Sequence, residues 1–326
     1  MKKIGRGILA VLIAAYVALI AYAYWPKPAG TTVAALATAD DKFITVDGLS
    51  IRYRTYGSQG DGRPNLVLMH GFGNSLQSFR NLAPLLADCC FVMALDFPGY
   101  GLSSIPVAYD YGNFNQAKTA IAVVRALKIA DPVYIGHSMG GAIALQAGVA
   151  DPNARGMVLI DPGILETGVP RAMTMAPFPF PRISAKLFGD RAWRERFLKL
   201  SFIDPSFVTD AVMDDLMRTP ARDDYWAGAT TMMGSFRPGD EPELLAKVKV
   251  PVLIVFGEAD RNHPATLRAQ LHDGLPGSQM IVVAGAGHYP HEEKAPEVAE
   301  AIKTMAGAWG LSTPRRPAEI TAPQYY

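Results

Sequence analysis

Ser138 is the residue of this sequence that is best placed to act as a nucleophile. It stands at the centre of GHSMG (136–140), which follows a short apolar run at 133–135 and precedes a helical segment. A serine at a sharp strand-to-helix turn has strained backbone geometry, and only very small residues fit two positions before and after it. The helix that follows directs its N-terminal N–H groups and its dipole at the same point. The pattern predicts nucleophilic catalysis at Ser138.

Asp260 and His288 are the expected partners of this nucleophile. A serine hydroxyl needs a general base, and the base needs an acid that orients it. In a strand-turn-helix architecture of this kind the three residues follow one another as serine, acid and histidine. Asp260 ends GEAD (257–260) after one apolar run, and His288 ends AGAGH (284–288) after the next. We therefore predict a catalytic triad of Ser138, Asp260 and His288.

Two backbone N–H groups are expected to stabilise the negative charge that develops on the substrate oxygen. The segment HGFG (70–73) follows an apolar run at 66–69, and its glycines allow the backbone to present an N–H to the cleft. We assign this oxyanion hole to the N–H groups of Phe72 and Met139. One such donor is typically worth about 3 kcal/mol of transition-state stabilisation. We expect His70 to fix the loop and not to act as a catalyst.

Three other acidic residues are weaker candidates because of where they stand. Glu258 lies two residues before Asp260 in the same turn, which makes it a poorer orienting acid. Asp161 ends the run at 157–160 and is kept as an alternative, displaced acid. Asp96 is expected to fix its own loop through Asx-type hydrogen bonds.

The remaining histidines are expected to lie outside the catalytic machinery. The side chain of His137 should point away from the cleft, although the residue adjoins the nucleophile. We expect His263 and His272 to be solvated. His291 is expected to hydrogen-bond within the final loop, and it could replace His288 as the base only if the register of that loop were different.

Short apolar runs alternate with helical segments along most of the chain. The Asp-Gly pair at 47–48 predicts a hairpin. The apolar runs that predict strands are 66–69, 91–95, 133–135, 157–160, 252–256 and 280–283. The segments that predict helices are 76–87, 113–128, 139–150 and 295–308. This alternation is typical of an α/β fold with a mostly parallel sheet and helices on both faces. In such folds the functional residues lie beyond the carboxyl ends of the strands.

The interval 164–245 breaks the alternation and is rich in aromatic residues and prolines. A loop of this length is improbable in a compact domain unless it has its own structure. We predict a helical lid, or cap, with helices at 184–199 and 206–218. It is inserted between two parts of the α/β core, at 41–163 and 246–310, and a flexible tail follows at 311–326.

The N-terminus has the pattern of a membrane-spanning segment. Lys2, Lys3 and Arg6 precede an uncharged run at 7–25, which as a helix would span roughly 28 Å. The positive flank should remain in the cytoplasm. Residues 1–25 thus predict a single-pass signal-anchor in the cell inner membrane, followed by a linker at 26–40, with the catalytic domain on the extracytoplasmic side. A cleaved signal peptide, and hence secretion, is the alternative.

The composition excludes several classes of partner. Lys+Arg (31) and Asp+Glu (30) nearly cancel, so we expect no nucleic acid as a partner. Cys89 and Cys90 are adjacent at the start of an apolar run; a disulfide between neighbours is strained, so we expect two small strand residues. We expect no metal and no cofactor, because no cysteine–histidine cluster is present. The oligomeric state is not predicted.

Taken together, the motifs resemble the α/β-hydrolase superfamily. The matching pieces, spread over about 43–308, are HGFG (70–73), DFPGYGLS (96–103), GHSMGG (136–141), GEAD (257–260) and GHYPHEE (287–293). The resemblance implies the α/β-hydrolase fold, with a cap inserted after the sixth strand. With its N-terminal helix and SMGG elbow, the chain looks like the membrane-bound monoacylglycerol lipase-type members, by analogy alone.

The resemblance also excludes some branches. Haloalkane dehalogenases and epoxide hydrolases have an aspartate where this chain has Ser138. Proline iminopeptidases usually have a tryptophan where this chain has Met139. Carbon–carbon bond hydrolases usually have an asparagine where this chain has His137, which makes them less favoured without excluding them.

The expected function is that of a carboxylesterase or lipase-like enzyme. It would cleave an apolar or lipid-like ester, a small-molecule substrate, through an acyl-enzyme on Ser138. A carbon–carbon bond hydrolase or a cofactor-free perhydrolase would use the same triad. An alternative of another class is a non-catalytic binding module tethered to the membrane.

Overall fold

The hairpin predicted at 47–48 is the first element of the sheet. A computed structural model describes residues 2–26, 28–60, 62–166, 177–235 and 240–309. In it, β1 (Lys42–Val46) pairs antiparallel with β2 (Leu49–Tyr56). The two turn residues, Asp47 and Gly48, have φ angles of 48° and 77°. Tight hairpin turns with positive φ at both positions favour glycine and aspartate, which accounts for this pair.

Six further strands complete an eight-stranded, mostly parallel sheet, as predicted. They are β3 (Asn65–Met69), β4 (Phe91–Leu95), β5 (Pro132–His137), β6 (Gly156–Ile160), β7 (Val252–Gly257) and β8 (Gln279–Val283). The spatial order is β1-β2-β4-β3-β5-β6-β7-β8. The antiparallel pairings are those of β2 with β1 and β4, and the strands from β4 onward in this order are parallel. The carboxyl ends of β3 to β8 therefore meet at one edge.

Both faces of the sheet are buried, which explains why its strands are continuous apolar runs. In β3, Leu66 and Leu68 pack into the core on one face, whereas Val67 and Met69 pack into the core on the other. All four side chains are fully buried. The loops at the strand ends are thus mounted on a rigid support.

Helices form at the four segments outside the cap for which the sequence predicts them, although one of the four is interrupted, and further short helices were not predicted. Apart from the N-terminal helix and the four cap helices described below, the α-helices of the described residues are α2 (Val33–Leu36), α3 (Leu82–Leu86), α4 (Asn113–Ala126), α5 (Met139–Ala150), α10 (Glu241–Leu244), α11 (Ala265–Asp273), α12 (Pro290–Glu293) and α13 (Ala295–Thr304). The helix predicted near 76–87 is instead a 3-10 turn, Leu76–Phe79, followed by α3. Pro84 lacks the N–H that a continuous helix would donate to the carbonyl of Arg80.

Four α-helices form the described part of the cap between β6 and α10. They are α6 (Phe180–Phe188), α7 (Arg191–Lys199), α8 (Asp210–Arg218) and α9 (Tyr225–Ser235), with a 3-10 turn at Pro205–Phe207. The single helix predicted at 184–199 is wrong. Gly189 follows the end of α6, and Asp190 caps α7 by accepting a hydrogen bond from the N–H of Trp193 at 2.8 Å. The sequence analysis did not predict α9.

A buried arginine links the cap to the sheet. Arg52 of β2 is fully buried, and its guanidinium contacts Asp96 at 3.0 Å and Asp215 of α8 at 3.2 Å. Asp41 lies 2.8 Å from the same group. A buried charge is tolerated when it is paired and hydrogen-bonded, and removing one partner is strongly destabilising. This cluster therefore joins the residue that follows the linker, the sheet and the cap.

The N-terminal helix α1 (Lys2–Tyr24) lies against the cap. Within the described residues, Gly5–Tyr24 is the one helix that is long and apolar enough to cross a membrane, and a signal sequence has the same character. The hydroxyl of Tyr16 donates to the carbonyl of Phe178 at 2.8 Å. Lys186 of α6 donates to the carbonyl of Tyr22 at 2.5 Å and also to that of Trp25. The predicted tail at 311–326 lies outside the described residues.

The prediction for the two cysteines is wrong in two respects. Cys89 and Cys90 precede β4, and their sulfur atoms form a disulfide. The N–H groups of both residues donate to the carbonyl of Leu86 at the end of α3, at 3.3 and 3.0 Å. This turn separates the cysteines from the strand. An apolar run in the sequence does not indicate such a turn.

Candidate active site

Ser138 occupies the strand-to-helix elbow that the sequence predicts. It joins β5 to α5 with φ 53° and ψ −118°, a conformation that is strained for any residue other than glycine. A Cβ at Gly136 would lie 1.9 Å from the carbonyl oxygen of Gly140, and one at Gly140 would lie 2.1 Å from that of Met69. Both glycines are therefore required by the close approach of backbones.

Asp260 and His288 are brought together at the same edge of the sheet. Asp260 follows β7 and His288 follows β8, and His288 Nδ1 lies 2.8 Å from Asp260 Oδ2. Burial alone raises the pKa of Asp260, but hydrogen bonds from His263 and His288 lower it, so the pKa lies well below its usual range. An ionised Asp260 can only accept. His288 must then carry its proton on Nδ1, which leaves Nε2 free to act as a base.

The backbone of His288 is held against the elbow by His137. His137 is fully buried beneath the final loop, and its Nε2 lies 2.7 Å from the carbonyl oxygen of His288. Since a carbonyl only accepts, His137 donates from Nε2. Burial, with the neighbouring His291 and His288, holds the pKa of His137 well below its usual range, so the ring is neutral.

The Ser138 hydroxyl and the His288 ring thus lie on two chain segments that this hydrogen bond joins. Within the described part of the chain, no hydrogen bond between Ser138 Oγ and His288 Nε2 is formed. Such contacts are often long in the absence of substrate and tighten in the complex.

The HGFG loop packs directly on the nucleophile. A Cβ at Gly71 would lie 3.2 Å from that of Ser138 and 2.9 Å from His137 Nδ1. His70 fixes the loop as predicted: Nδ1 donates to the carbonyl of Gly71 at 2.8 Å, and Nε2 accepts from the N–H of Phe97 at 3.3 Å. The N–H of Phe72 belongs to this loop. Met139 is the first residue of α5, a position whose N–H has no acceptor within the helix.

The cap holds the same loop in place. Arg194 of α7 is buried and donates to the carbonyls of Gly73 at 2.5 Å and Leu216 at 3.0 Å. Burial lowers the pKa of Arg194 to about 10, so it remains charged at neutral pH. The ring of Phe72 contacts Phe188 of α6 edge-on at 5.3 Å. The position of the HGFG loop therefore depends on the cap.

Asp161 lies beside the pair but is not the acid that contacts His288. It is fully buried and accepts from the N–H of Gly257 at 3.1 Å. Burial and the adjacent Asp260 hold the pKa of Asp161 well above its usual range, which favours its neutral form. Glu258 is exposed and accepts from the N–H of Gly285 at 3.1 Å. Of the three acids, Asp260 has the geometry of an orienting acid.

His263 is the residue of this site that the sequence analysis missed. The expectation that it is solvated is wrong: it is 3% exposed, and its Nδ1 lies 2.6 Å from Asp260 Oδ2. The turn after β7 folds back because Asp260 Oδ1 accepts from the N–H of Asn262 at 2.8 Å. Two residues three positions apart in a turn can face each other, so the Asp-x-x-His spacing was an available signal.

The other polar predictions have mixed outcomes. His272 is half-buried, and its Nε2 lies 3.1 Å from the carbonyl of Ser278. His291 is fully buried and contacts Ser78 Oγ at 2.9 Å, outside the final loop, which corrects the predicted partner. Asp96 fixes its own loop through the N–H of Leu102 at 3.0 Å, as predicted. It also accepts from the N–H of Leu76 at 2.7 Å.

Four side chains of the site lie close enough together to be considered as metal ligands. One donor atom each from Asp161, Asp260, His263 and His288 lies within 4.8 Å of the others. The Nδ1 atoms of both histidines, however, face the same oxygen of Asp260 at 2.6 and 2.8 Å. These are hydrogen-bond distances. We therefore assign the cluster to hydrogen bonding.

A cavity of about 280 Å³ adjoins Asp260 and His288. Its cap side is formed by Phe197, Leu200, Phe202 and Ile203. A larger cavity, of about 760 Å³, lies between the linker and the cap and includes neither Ser138 nor His288. The smaller cavity includes Asp260 and His288 but not Ser138, so of the two cavities it is the one that adjoins the predicted base.

Comparison with known proteins identifies a family. The sequence profile described as alpha/beta hydrolase family matches residues 66–301. The uncharacterized hydrolase YugF of Bacillus subtilis is 33% identical over 262 residues, which are 79% of this chain and 95% of that protein. A 2-hydroxy-6-oxononadienedioate/2-hydroxy-6-oxononatrienedioate hydrolase of Cupriavidus pinatubonensis is 26% identical, covering 78% of this chain and 91% of that protein.

A solved structure, that of a membrane phospholipase A, has a similar fold. It superposes with a TM-score of 0.69 at 22% identity and covers 95% of this chain and 99% of that protein. Coverage of this extent includes residues outside 41–310. At this identity the likeness concerns the fold.

Proposed function

Because the chain belongs to the alpha/beta hydrolase family, we propose that it is a serine hydrolase that cleaves carboxylic esters through an acyl-enzyme on Ser138. The observation that carries the proposal is the meeting of a strained serine elbow with a histidine–aspartate pair joined at 2.8 Å. Apolar or lipid-like esters are the proposed substrates, because the cap lines the cavity beside His288 with aromatic and aliphatic side chains.

The mechanism follows from the positions of three side chains. His288 Nε2 removes the proton from the Ser138 hydroxyl while Oγ forms a bond to the ester carbon. Asp260, ionised and buried, accepts the hydrogen bond from the Nδ1–H of His288 and stabilises the imidazolium that forms. The imidazolium then gives its proton to the departing alkoxide, which leaves as the alcohol. Water, deprotonated by His288, attacks the acyl-enzyme, the acid is released, and Ser138 regains its proton.

The oxyanion of each tetrahedral intermediate needs donors that are fixed before the reaction begins. We propose the backbone N–H groups of Phe72 and Met139 for this role. Support comes from the packing of the HGFG loop on Ser138 and from the contact of Arg194 with the carbonyl of Gly73. Met139 adds the positive end of the α5 dipole.

A second candidate reaction is the hydrolysis of a carbon–carbon bond next to a carbonyl group. The dienedioate hydrolase of Cupriavidus pinatubonensis, at 26% identity, favours it. Cofactor-free perhydrolysis would use the same residues. His137 and the apolar cap wall favour the ester reaction in our proposal.

Turnover of a chain-length series of p-nitrophenyl esters by the purified chain tests the proposal, beside a ring-fission dienoate. We expect ester turnover to exceed dienoate turnover and to rise from acetate to medium-length acyl chains, because the cap side of the cavity is apolar. A fluorophosphonate probe should label the folded protein. Failure of the probe to label the protein would favour the hypothesis of a non-catalytic binding module. Faster turnover of the dienoate would favour the hydrolysis of a carbon–carbon bond.

We further propose that α1 is a single-pass anchor in the cell inner membrane, with the catalytic domain on the extracytoplasmic side. The basic residues before the apolar run support this orientation. The contacts of Lys186 with the carbonyls of Tyr22 and Trp25 also support it, since they bring the cap to the carboxyl end of the helix. A lipid-like ester would then reach the enzyme from the membrane itself. Secretion after cleavage is the alternative.

Charged residues in the middle of α1 should abolish membrane attachment. Ala14 and Ala15 are exposed on the helix, and changing both to arginine adds about 2.5–3.5 kcal/mol per residue to the free energy of insertion. We expect the wild-type chain to resist alkaline carbonate extraction of membranes and the double variant to be extracted or retained in the cytoplasm.

The matched control changes Ala34 and Ala35, exposed residues of α2, to arginine. This variant should remain in the membrane pellet. N-terminal sequencing of the membrane-bound protein should give residues that precede 26. A mature chain that begins after residue 25, or a double variant in α1 that remains in the pellet, would contradict the anchor.

A further inference from the structure

His263 has an oxygen atom at hydrogen-bond distance from each of its ring nitrogens. Its Nδ1 lies 2.6 Å from Asp260 Oδ2, and its Nε2 lies 3.1 Å from the carbonyl oxygen of Pro162. The side chain is 4% exposed. The ring packs against Phe256 at 5.4 Å between centroids. The ring is thus fixed in place, and each of its nitrogens contacts an oxygen atom.

Neither of these oxygens can supply a proton. The carbonyl of Pro162 accepts only, and Asp260, whose pKa lies well below its usual range, is ionised. A neutral imidazole has one N–H and could satisfy only one of the two contacts. The other nitrogen would then direct a lone pair at an oxygen lone pair in a buried site, which is unfavourable. Protonation of both nitrogens satisfies both contacts.

We propose that His263 is a positioning residue of the triad: held as an imidazolium between Asp260 and the Pro162 carbonyl, it shares the Asp260 charge with His288 and keeps His288 available as a base. The inference rests on the proposed function, since it concerns the same site. His263 and His288 face the same oxygen of Asp260, at 2.6 and 2.8 Å. Their rings are nearly parallel, with centroids 5.9 Å apart.

The surrounding groups leave this charge pair intact. Burial and the adjacent Asp260 raise the pKa of Asp161 well above its usual range, which disfavours a second negative charge beside Asp260. Arg268 of α11 donates to the backbone carbonyl of His263 at 2.6 Å and adds positive charge. Further titratable groups near the site are His137, His291, Tyr289, Arg261, Glu258 and Glu293. For His137 and His291, burial lowers the pKa well below its usual range, so both are neutral.

A permanent charge on His263 has a consequence for pH dependence. Protonation of His288 places a second positive charge about 6 Å from the first, against a carboxylate that already has a partner. The base therefore stays neutral, and active, to lower pH than it would beside a neutral residue. Removing the charge should move the acid limb of the kcat/KM profile to higher pH by about one unit.

Two measurements on the full-length protein in detergent test the proposal. Nitrogen-15 NMR of histidine-labelled wild-type protein, at a pH on the plateau of the activity profile, should show one histidine with both ring nitrogens protonated. In His263→Gln this signal should disappear, and the acid limb measured with a p-nitrophenyl ester should move up by about one pH unit. A purely structural role for His263 would lower kcat without moving the limb.

His272→Gln is the matched control, because His272 is half-buried and has one contact, with the carbonyl of Ser278 at 3.1 Å. This variant should keep both the imidazolium signal and the wild-type acid limb. Absence of a doubly protonated histidine in the wild-type protein would overturn the proposal, as would an unmoved limb in His263→Gln. The NMR result does not depend on turnover, so it separates failure of this inference from failure of the proposed function.

Discussion

Replacing Ser138 by alanine should lower kcat/KM for ester hydrolysis by roughly 10⁴- to 10⁶-fold, the loss that removal of a triad nucleophile causes. The reason is that in the proposed mechanism Oγ forms the bond to the acyl group, and the alanine methyl group cannot. The oxyanion donors and the binding cavity remain, so a small residual rate over water is expected. Labelling by a fluorophosphonate should be lost altogether. Initial rates with a p-nitrophenyl ester, together with in-gel fluorescence, measure both effects.

The fold should tolerate this change. Ser138 has a φ of 53°, which alanine adopts at some cost, so the thermal unfolding of the variant should be compared with that of the wild-type chain. Ser58→Ala, an exposed serine in the loop after β2, is the matched control and should keep full activity and labelling. Turnover that survives Ser138→Ala in a folded protein would refute the acyl-enzyme mechanism.

The main features of the site could be predicted because chemistry-bearing residues follow strands directly. Ser138, Asp260 and His288 each come after a short apolar run, and the carboxyl ends of parallel strands meet at one edge. Because both faces of the sheet are buried, its strands could be recognised in the sequence as continuous apolar runs. The glycines of GHSMG indicated the elbow, since their Cβ atoms would clash with backbone carbonyls. Local sequence was therefore sufficient to predict the position of a site residue wherever that residue directly follows a strand.

His263 could not be predicted in the same way, because its burial depends on tertiary contacts. The turn after β7 has few apolar residues, which suggests a solvated loop. In the structure the turn folds inward, and the carbonyl of Pro162, a residue that follows β6, accepts from the imidazole. The Asp-x-x-His spacing indicates the contact with Asp260, but the contact with Pro162, about a hundred positions away in sequence, gives no local signal.

The cap shows a different limit. The segment 184–199 contains enough helix-forming residues to predict one helix, yet Gly189 and Asp190 end one helix and begin the next. The helix α9 contains glycine, threonine and aromatic residues that weaken its amphipathic pattern. Its position depends on burial of Tyr225 and Trp226 against Ile105 and α6. Packing of the cap, and not propensity, determines these elements.

Asp260→Asn should reduce kcat/KM by roughly 10³- to 10⁴-fold, because the amide cannot accept from His288 as the carboxylate does. Asparagine has nearly the same shape but presents an N–H₂ group. That group favours a histidine tautomer protonated on Nε2, which cannot take the Ser138 proton. In the proposed arrangement His263, whose Nδ1 lies 2.6 Å from Oδ2, loses its counter-ion at the same time. The change is measured as kcat/KM with a p-nitrophenyl ester at plateau pH.

Asp161→Asn is the matched control for Asp260→Asn. Asp161 and Asp260 are neighbouring carboxyl groups at the ends of adjacent strands, and either could be the acid in sequence terms. Because burial raises the pKa of Asp161 well above its usual range, asparagine resembles the neutral form that burial favours. Its amide oxygen can still accept from the N–H of Gly257. We expect a loss of less than about tenfold. If Asp161→Asn were instead the more damaging change, the orienting acid would lie after β6, and the proposed role of His263 beside Asp260 would fall with it.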